Sequence, residues 1–225
     1  MPRLPNNTER LVEIGRTGTG KTVAGLWHLS NFSLKSPWVI FNFKDDEHIE
    51  SIEKARFVEL GYVPKKHDQG IFVVTVHPSD LRGTSKQRPP LTDYFEKLWE
   101  RRNVGIMIDE AWMVGDDEGF VMCLTQGRSR RIPMIICTQR PAWISRFAFS
   151  EASYIQCFDL NDDNDISRVE SFMPLSWDDE APLKPHQSFY YDVSRNELVR
   201  MNPVPDMDKI RATLDAKLKN PRVFI

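Results

Sequence analysis

The sequence predicts a three-layer αβα fold on a mainly parallel central sheet, with a small C-terminal hairpin-helix extension. Two segments, residues 104–108 (VGIMI) and 133–138 (PMIICT), are apolar almost throughout, as strands covered on both faces must be. Such runs alternate with stretches of helical pattern, the rhythm of a parallel sheet. The first of them, residues 11–15 (LVEIG), runs directly into a glycine-rich turn and then a helical stretch from Lys21 to about Asn31.

The remaining elements follow in order. Residues 38–43 (WVIFNF) form the second strand, and the acidic stretch 44–52 opens a helix or loop. Residues 71–76 (IFVVTV) are the next strand. Residues 79–91 (SDLRGTSKQRPPL) read as a loop, with Thr92 as the N-cap of a helix through Arg102. A helix over 118–127 follows the strand 104–108, and a further strand, 153–160 (SYIQCFDL), follows 133–138. Beyond Ser171 the texture changes. Residues 174–185 are proline-rich and acidic, 188–192 and 198–201 flank a Ser-Arg-Asn-Glu turn as a β-hairpin, and 206–218 form a terminal helix. At 225 residues the chain suits one α/β domain, with a core over about 9–170 and an extension over about 171–225.

Bulk composition narrows the class. Hydrophobic residues make up 40% and charged residues 28%, ordinary for a globular protein. The net charge of −2 means that any nucleic-acid contact must come from a local basic patch. The three cysteines, Cys123, Cys137 and Cys157, form no C-x-x-C pair and read as buried thiols of a reducing compartment. No zinc spacing is present, and no run approaches the roughly 20 apolar residues of a membrane span, so the chain reads as soluble and cytosolic.

The turn itself carries chemistry. Gly15, Arg16, Thr17, Gly18, Thr19, Gly20, Lys21 and Thr22 match G-x-x-x-x-G-K-[ST] in full, between a strand and a helix. The glycines let the backbone curl so that successive N–H groups face one anion, and the following helix adds its positive end. Lys21 is suited to the β- and γ-phosphates of ATP and the Thr22 hydroxyl to Mg²⁺. The pattern reads as that of a P-loop NTPase, and the fold is expected to be RecA/ASCE-like.

Residues 106–110 (IMIDE) are an apolar strand ending in two acids. Strand C-termini in parallel sheets meet the phosphate loop, so Asp109 is expected to hold Mg²⁺ with Thr22, and Glu110 to act as general base on the attacking water. The next strand ends in Thr138-Gln139-Arg140-Pro141, where Gln139 is expected to sense the γ-phosphate or orient water. Upstream lie Arg128, Arg130 and Arg131. They are either a solvated basic turn or, at the far edge of the pocket, the source of an arginine reaching a neighbouring subunit's site.

In combination, GRTGTGKT, IMIDEA and GRSRRIPMIICTQRP resemble the FtsK–HerA superfamily of DNA-pumping ATPases over about residues 9–170. The resemblance implies ATP hydrolysis between the subunits of a hexameric or pentameric ring, with Arg128 acting in trans beside Lys21, Glu110 and Gln139. The small size is similar to that of the genome-packaging ATPases of membrane-containing, double-jelly-roll viruses. That likeness implies double-stranded DNA as a non-specific partner, capsid-vertex or membrane proteins as further partners, and a place in the host cytoplasm and at the virion packaging vertex. Cations available for DNA are Arg82, Lys86 and Arg88 in one loop and Lys65 with Lys66 in another, although ordinary solvated loop charge explains them equally.

Competing signals are weaker. Residues 159–170 approach a calcium loop, but Asn164 takes the place of its turn glycine, and a strand exit before a capped helix near Asp165 fits better. Trp112 reads as a core or lid aromatic, or as a stacking partner for a base or a neighbouring subunit. None of the five histidines has a partner at ligand spacing. A small-molecule kinase of the nucleoside-kinase type fits the size but lacks that type's zinc-binding cysteines. An assembly ATPase of the filamentous-phage type would carry a transmembrane helix.

Overall fold

The computed structural model describes residues 2–84, 87–177, 182–218 and 223–224. Its strands are β1 (Arg10–Ile14), β2 (Pro37–Asn42), β3 (Arg56–Val58), β4 (Gly70–Thr75), β5 (Gly105–Ile108), β6 (Met134–Thr138), β7 (Tyr154–Cys157), β8 (Ser188–Asp192), β9 (Glu197–Met201) and β10 (Val223–Phe224). The helices are α1 (Lys21–Asn31), α2 (Glu47–Glu50), α3 (Pro90–Arg101), α4 (Glu118–Gln126), α5 (Phe147–Ser150), α6 (Asp163–Glu170) and α7 (Met207–Lys217).

The strands form one sheet in the order β10-β3-β4-β2-β5-β6-β1-β7-β8-β9. Pairing is parallel from β10 to β7 and antiparallel from β7 to β9. Alternation of side chains divides each central strand between two cores. Val12, Ile14, Val39, Phe41, Ile106, Ile108 and Ile136 face α3 and α4, while Leu11, Trp38, Ile40, Met107 and Ile135 face α1 and α7. The three layers expected from the apolar runs are therefore present. The hairpin extends the sheet beside β7, and Ile210 and Leu214 of α7 pack into the α1-side core. Lys217 Nζ caps the carbonyl of Phe32 at 3.2 Å, which ties the end of α7 to the loop after α1.

Two local readings need correction. Thr92 is not a cap: α3 starts at Pro90, whose fixed φ suits a first helical turn, and the buried Thr92 hydroxyl donates instead to Asp117. The short strands β3 and β10 were not legible, because three-residue and two-residue segments carry too few side chains for a period. Residues 159–170 follow the reading of a strand exit and capped helix. Asp162 caps α6 through the N–H groups of Asn164 and Asp165, and Asp165 accepts from Ala142 N.

A polar chain crosses the α1-side core. His28 Nε2 donates to Gln156 Oε1 at 2.7 Å, and Gln156 Nε2 donates to Ser188 Oγ at 2.9 Å. Glu13 Oε1 lies 3.6 Å from His28 Nε2, and burial acts against charge on both: it raises the Glu13 carboxyl well above the carboxylate range and lowers His28 to about 4. The unfolded chain takes up the His28 proton as pH falls below 6.5, whereas the folded chain resists it until about 4. The contribution of neutral His28 is thus complete above pH 6.5 and lost toward pH 4, by roughly 3 kcal/mol at the limit. Glu13 acts in the opposite sense as pH rises above its usual range, so the comparison must be with a variant. Urea unfolding of His28→Gln is expected to lose roughly 2 kcal/mol less than the wild type between pH 7 and pH 4.5. Equal losses would contradict the assignment.

Candidate active site

The C-terminal ends of β1, β6, β5 and β2 lie side by side, because β6 inserts between β1 and β5. In register, Ile14 pairs with Thr138, Ile136 with Ile108, and Ile108 with Phe41. The phosphate loop, Gln139, the Asp109–Glu110 pair and Lys44 therefore converge on one edge of the sheet. A cleft of about 310 Å³ opens there, bordered by Lys21, Thr22, Lys44, Asp109, Glu110 and His186.

The loop's glycines have two separate reasons. Gly20 holds φ at 96°, the left-handed region, as the cap of α1. Gly15 is required by proximity: a Cβ there would lie 2.7 Å from Phe158 Cβ. The helix that follows has no side-chain cap and no acid in its first turn. Its free N–H groups and positive end are thus left for an external anion. Lys21 Nζ donates to the carbonyl of Arg16 at 3.0 Å and has no bonded carboxylate among the described residues, while burial lowers its pKa.

Thr22 Oγ1 donates to Asp109 Oδ1 at 3.0 Å. Burial, then Glu110 and Asp46 beside it, raises Asp109 to about 6. A hydroxyl and a buried carboxylate without an ion-pair partner among the described residues are hard oxygen donors suited to Mg²⁺. Gln139 reaches the loop directly, since Thr17 Oγ1 donates to its Oε1 at 2.5 Å. Arg16 instead turns outward and pairs with Asp159 at 2.6 Å.

Glu110 has φ 62° and ψ 49°, a left-handed geometry rare for a non-glycine residue. Both of its carboxylate oxygens are occupied: Lys44 Nζ lies 2.6 Å from Oε1, and Trp112 Nε1 donates to Oε2 at 2.6 Å. Neither Lys44 nor the Trp112 contact was foreseen, because a lysine after a strand looks like any solvated terminus. His186, also unforeseen, crosses from the extension to place Nδ1 3.2 Å from Thr19 O.

The basic residues do not gather in one place. Arg128 stands before β6, at the sheet edge opposite the phosphate loop, roughly 16 Å away along the five-residue strand. It is therefore not at the rim of its own chain's pocket. It is exposed and has no side-chain hydrogen bond or ion pair among the described residues, whereas the Arg130 guanidinium lies 3.1 Å from the Trp99 ring centroid. Arg88 is paired with Glu96 at 2.7 Å and Glu118 at 3.1 Å. Arg82 is exposed on the loop that leaves the phosphate-loop end of β4; Lys65 and Lys66 are exposed near the end of α3, where Arg101 Nη2 bonds Lys65 O at 2.8 Å. Lys86 lies outside the described residues. Among the described residues no helix is long and apolar enough to cross a membrane.

No protein-family model matches the chain. Over an alignment of 237 positions, gaps included, it is 40% identical to the DNA packaging ATPase P9 of Enterobacteria phage PRD1, covering 99% of each sequence. Among solved structures it is similar to the genome packaging NTPase B204 from Sulfolobus turreted icosahedral virus 2 in complex with AMPPCP, with a TM-score of 0.67 and 18% identity over 89% of this chain and 100% of that one. It is also similar to the pCW3 conjugation coupling protein TcpA, monomer form with ATPgS, with a TM-score of 0.56 and 15% identity over 93% of this chain and 65% of that one. At these identities the two structures speak to the fold, an open P-loop ATPase sheet.

Proposed function

The chain belongs to the family of viral DNA-packaging P-loop ATPases that includes P9 of phage PRD1, and from that premise we propose that it hydrolyses ATP between neighbouring copies of itself to drive double-stranded DNA into a preformed capsid. It is an ATPase of FtsK–HerA type. The nucleoside-kinase and filamentous-phage readings fall away against whole-chain identity to a DNA packaging ATPase.

The observation that carries the reading is the convergence at one sheet edge of an uncapped helix N-terminus, Lys21, and the Thr22–Asp109 hydrogen bond, with Glu110 one residue on. In the proposed cycle the N–H groups of residues 15–22 and the Lys21 ammonium hold the phosphates of ATP. Thr22 and Asp109 would hold Mg²⁺, which when bound neutralises phosphate charge. Glu110 takes a proton from water as the water oxygen bonds to the γ-phosphorus and the bond to the ADP oxygen breaks, giving ADP and phosphate. Gln139, already on Thr17, orients that water. Arg128 cannot reach the site of its own chain, a position that supports service to the neighbour's site in a hexameric or pentameric ring.

For DNA we assign backbone contacts to Arg82 and the adjoining Lys86, with Lys65 and Lys66 as a second set. Arg88 is neutralised by its two glutamates and contributes less. The chain is proposed to work as one unit, core about 9–170 and extension about 171–225, at the packaging vertex and in the host cytoplasm, where capsid-vertex or membrane proteins would receive it. ATP turnover with and without double-stranded DNA tests the function. Several-fold stimulation, independent of sequence and reduced by salt, is expected. No stimulation together with phosphate transfer to a nucleoside would contradict it.

A further inference from the structure

We propose that a cavity at the N-terminal ends of the central strands, lined by Asn103 and Arg131, seats a phosphate of the DNA backbone. The proposal rests on the reading that the chain acts on DNA, and it gives that DNA a site.

The cavity, of about 260 Å³, lies where β2, β5, β6 and β1 begin, at the end of the sheet away from the phosphate loop. Asn7, Ser33, Ser36, Asn103 and Arg131 line it, and no carboxylate does. The side chains of Asn7, Ser36, Asn103 and Arg131 make no hydrogen bond or ion pair among the described residues. Amides, hydroxyls and a guanidinium without a competing acid are the groups that hold DNA phosphates, and a guanidinium can meet two phosphate oxygens at once.

The backbone gives a second argument. Two helical segments end here. Arg102, the C-cap of α3, has φ 59° and ψ 165°, and Arg131, the C-cap of the turn 127–130, has φ 56° and ψ 54°. Asn103 follows at φ 48°, and its N–H donates to Arg130 O at 2.9 Å, which joins the two turns. Glycine suits such positions because it has no Cβ to clash, and the geometry of Arg102 is almost confined to it. Arginine therefore strains the fold at both. Neither side chain offsets that strain with a contact, since both are exposed and unpaired among the described residues. What the two positions retain is cationic charge beside a cavity of donors.

The location ties the cavity to both proposed activities. Arg101 Nη2 bonds Lys65 O at 2.8 Å, so the Lys65–Lys66 set adjoins the same end of α3. Arg131 N donates to Arg128 O at 3.2 Å, so a phosphate held by Arg131 bears on the turn that presents the trans arginine.

Arg131→Gly and Arg102→Gly remove a cation while suiting the backbone, so their melting temperatures are expected at or above that of the wild type. Asn103→Asp keeps the shape and brings a carboxylate into the cavity. Affinity of the assembled enzyme for a random-sequence duplex is read by fluorescence anisotropy across a salt series. It is expected to fall about tenfold in Arg131→Gly and in Asn103→Asp. The slope of log K against log salt is expected to be shallower by about 0.9 in Arg131→Gly, the mark of one lost phosphate contact. Without DNA, the ATPase activity of Asn103→Asp is expected to be unchanged, while its stimulation by DNA shrinks. Unchanged affinity in either variant would overturn the proposal. So would a lowered melting temperature in Arg131→Gly, which would make the arginine a residue of the fold. Loss of assembly without DNA, seen by light scattering, would make the cavity a contact between copies and overturn it too. Inorganic phosphate displacing the duplex better than sulfate at equal ionic strength would make it a site for the free anion instead. A wild type without affinity for the duplex removes the DNA reading itself, whereas wild-type binding with unaltered variants removes this site alone.

Discussion

Arg128→Ala is expected to lower the kcat of the assembled enzyme by about three to five powers of ten, with little change in nucleotide affinity. The magnitude is that of a guanidinium that meets the phosphoryl group only as charge develops on it, so its loss appears in kcat rather than in binding. The direction follows from placement. Residues 127–131 lie at the N-terminal ends of the strands and the phosphate loop at their C-terminal ends, so the arginine stands away from its own chain's phosphate loop. Arg130, stacked on Trp99, serves its own fold, and Arg130→Ala is expected to change stability more than kcat. Steady-state ATPase assays on both variants, with folding checked by thermal melts, separate these effects. Full activity in Arg128→Ala would remove the assignment.

Glu110→Gln is expected to cost about two to four powers of ten in kcat, while ATP still binds. Glutamine is nearly isosteric and can still accept the Trp112 N–H, but its amide cannot take a proton from water. The same substitution removes a negative charge beside Asp109, whose elevated pKa is due in part to Glu110. Equilibrium binding of a fluorescent ATP analogue, measured beside single-turnover hydrolysis, distinguishes a lost base from a lost nucleotide site. Binding within a few fold of wild type with hydrolysis nearly absent is the expected pair of results.

Much of this site was legible because its parts are local. Gly15 to Thr22 and residues 106–110 each declare themselves within a few positions: a turn that only glycines permit, and an apolar strand that ends abruptly in two acids. The central strands read clearly because burial on both faces removes polar alternation, and the sheet order then brought Gln139 to Thr17 as its position beside β5 implied. The residues that escaped notice act across the fold. His186 reaches Thr19 from 167 positions away, and Lys44 meets Glu110 across 66. One missed feature did leave a signal. Glu13 is an acid between apolar neighbours in the run 11–14, and such a residue must find polar company or become neutral. Here it lies beside His28, Cys137 and Gly25, under the helix that carries Lys21, where burial raises its pKa. Thr92 failed in the opposite way: a good capping residue was outcompeted by the two prolines before it, which preset the helix start.

The central claim is that each hydrolytic site is built from two subunits, and mixing two inactive variants tests it most directly. Lys21→Ala lacks the phosphate-loop half and Arg128→Ala lacks the trans half, so each is expected to be nearly inactive alone on double-stranded DNA. In a random equal mixture, about a quarter of head-to-tail interfaces combine an intact Lys21 with an intact Arg128. DNA-stimulated ATPase activity is therefore expected to recover well above the sum of the separate variants, and to rise with protein concentration as mixed assemblies form. A mixture no more active than its two components would contradict a shared site.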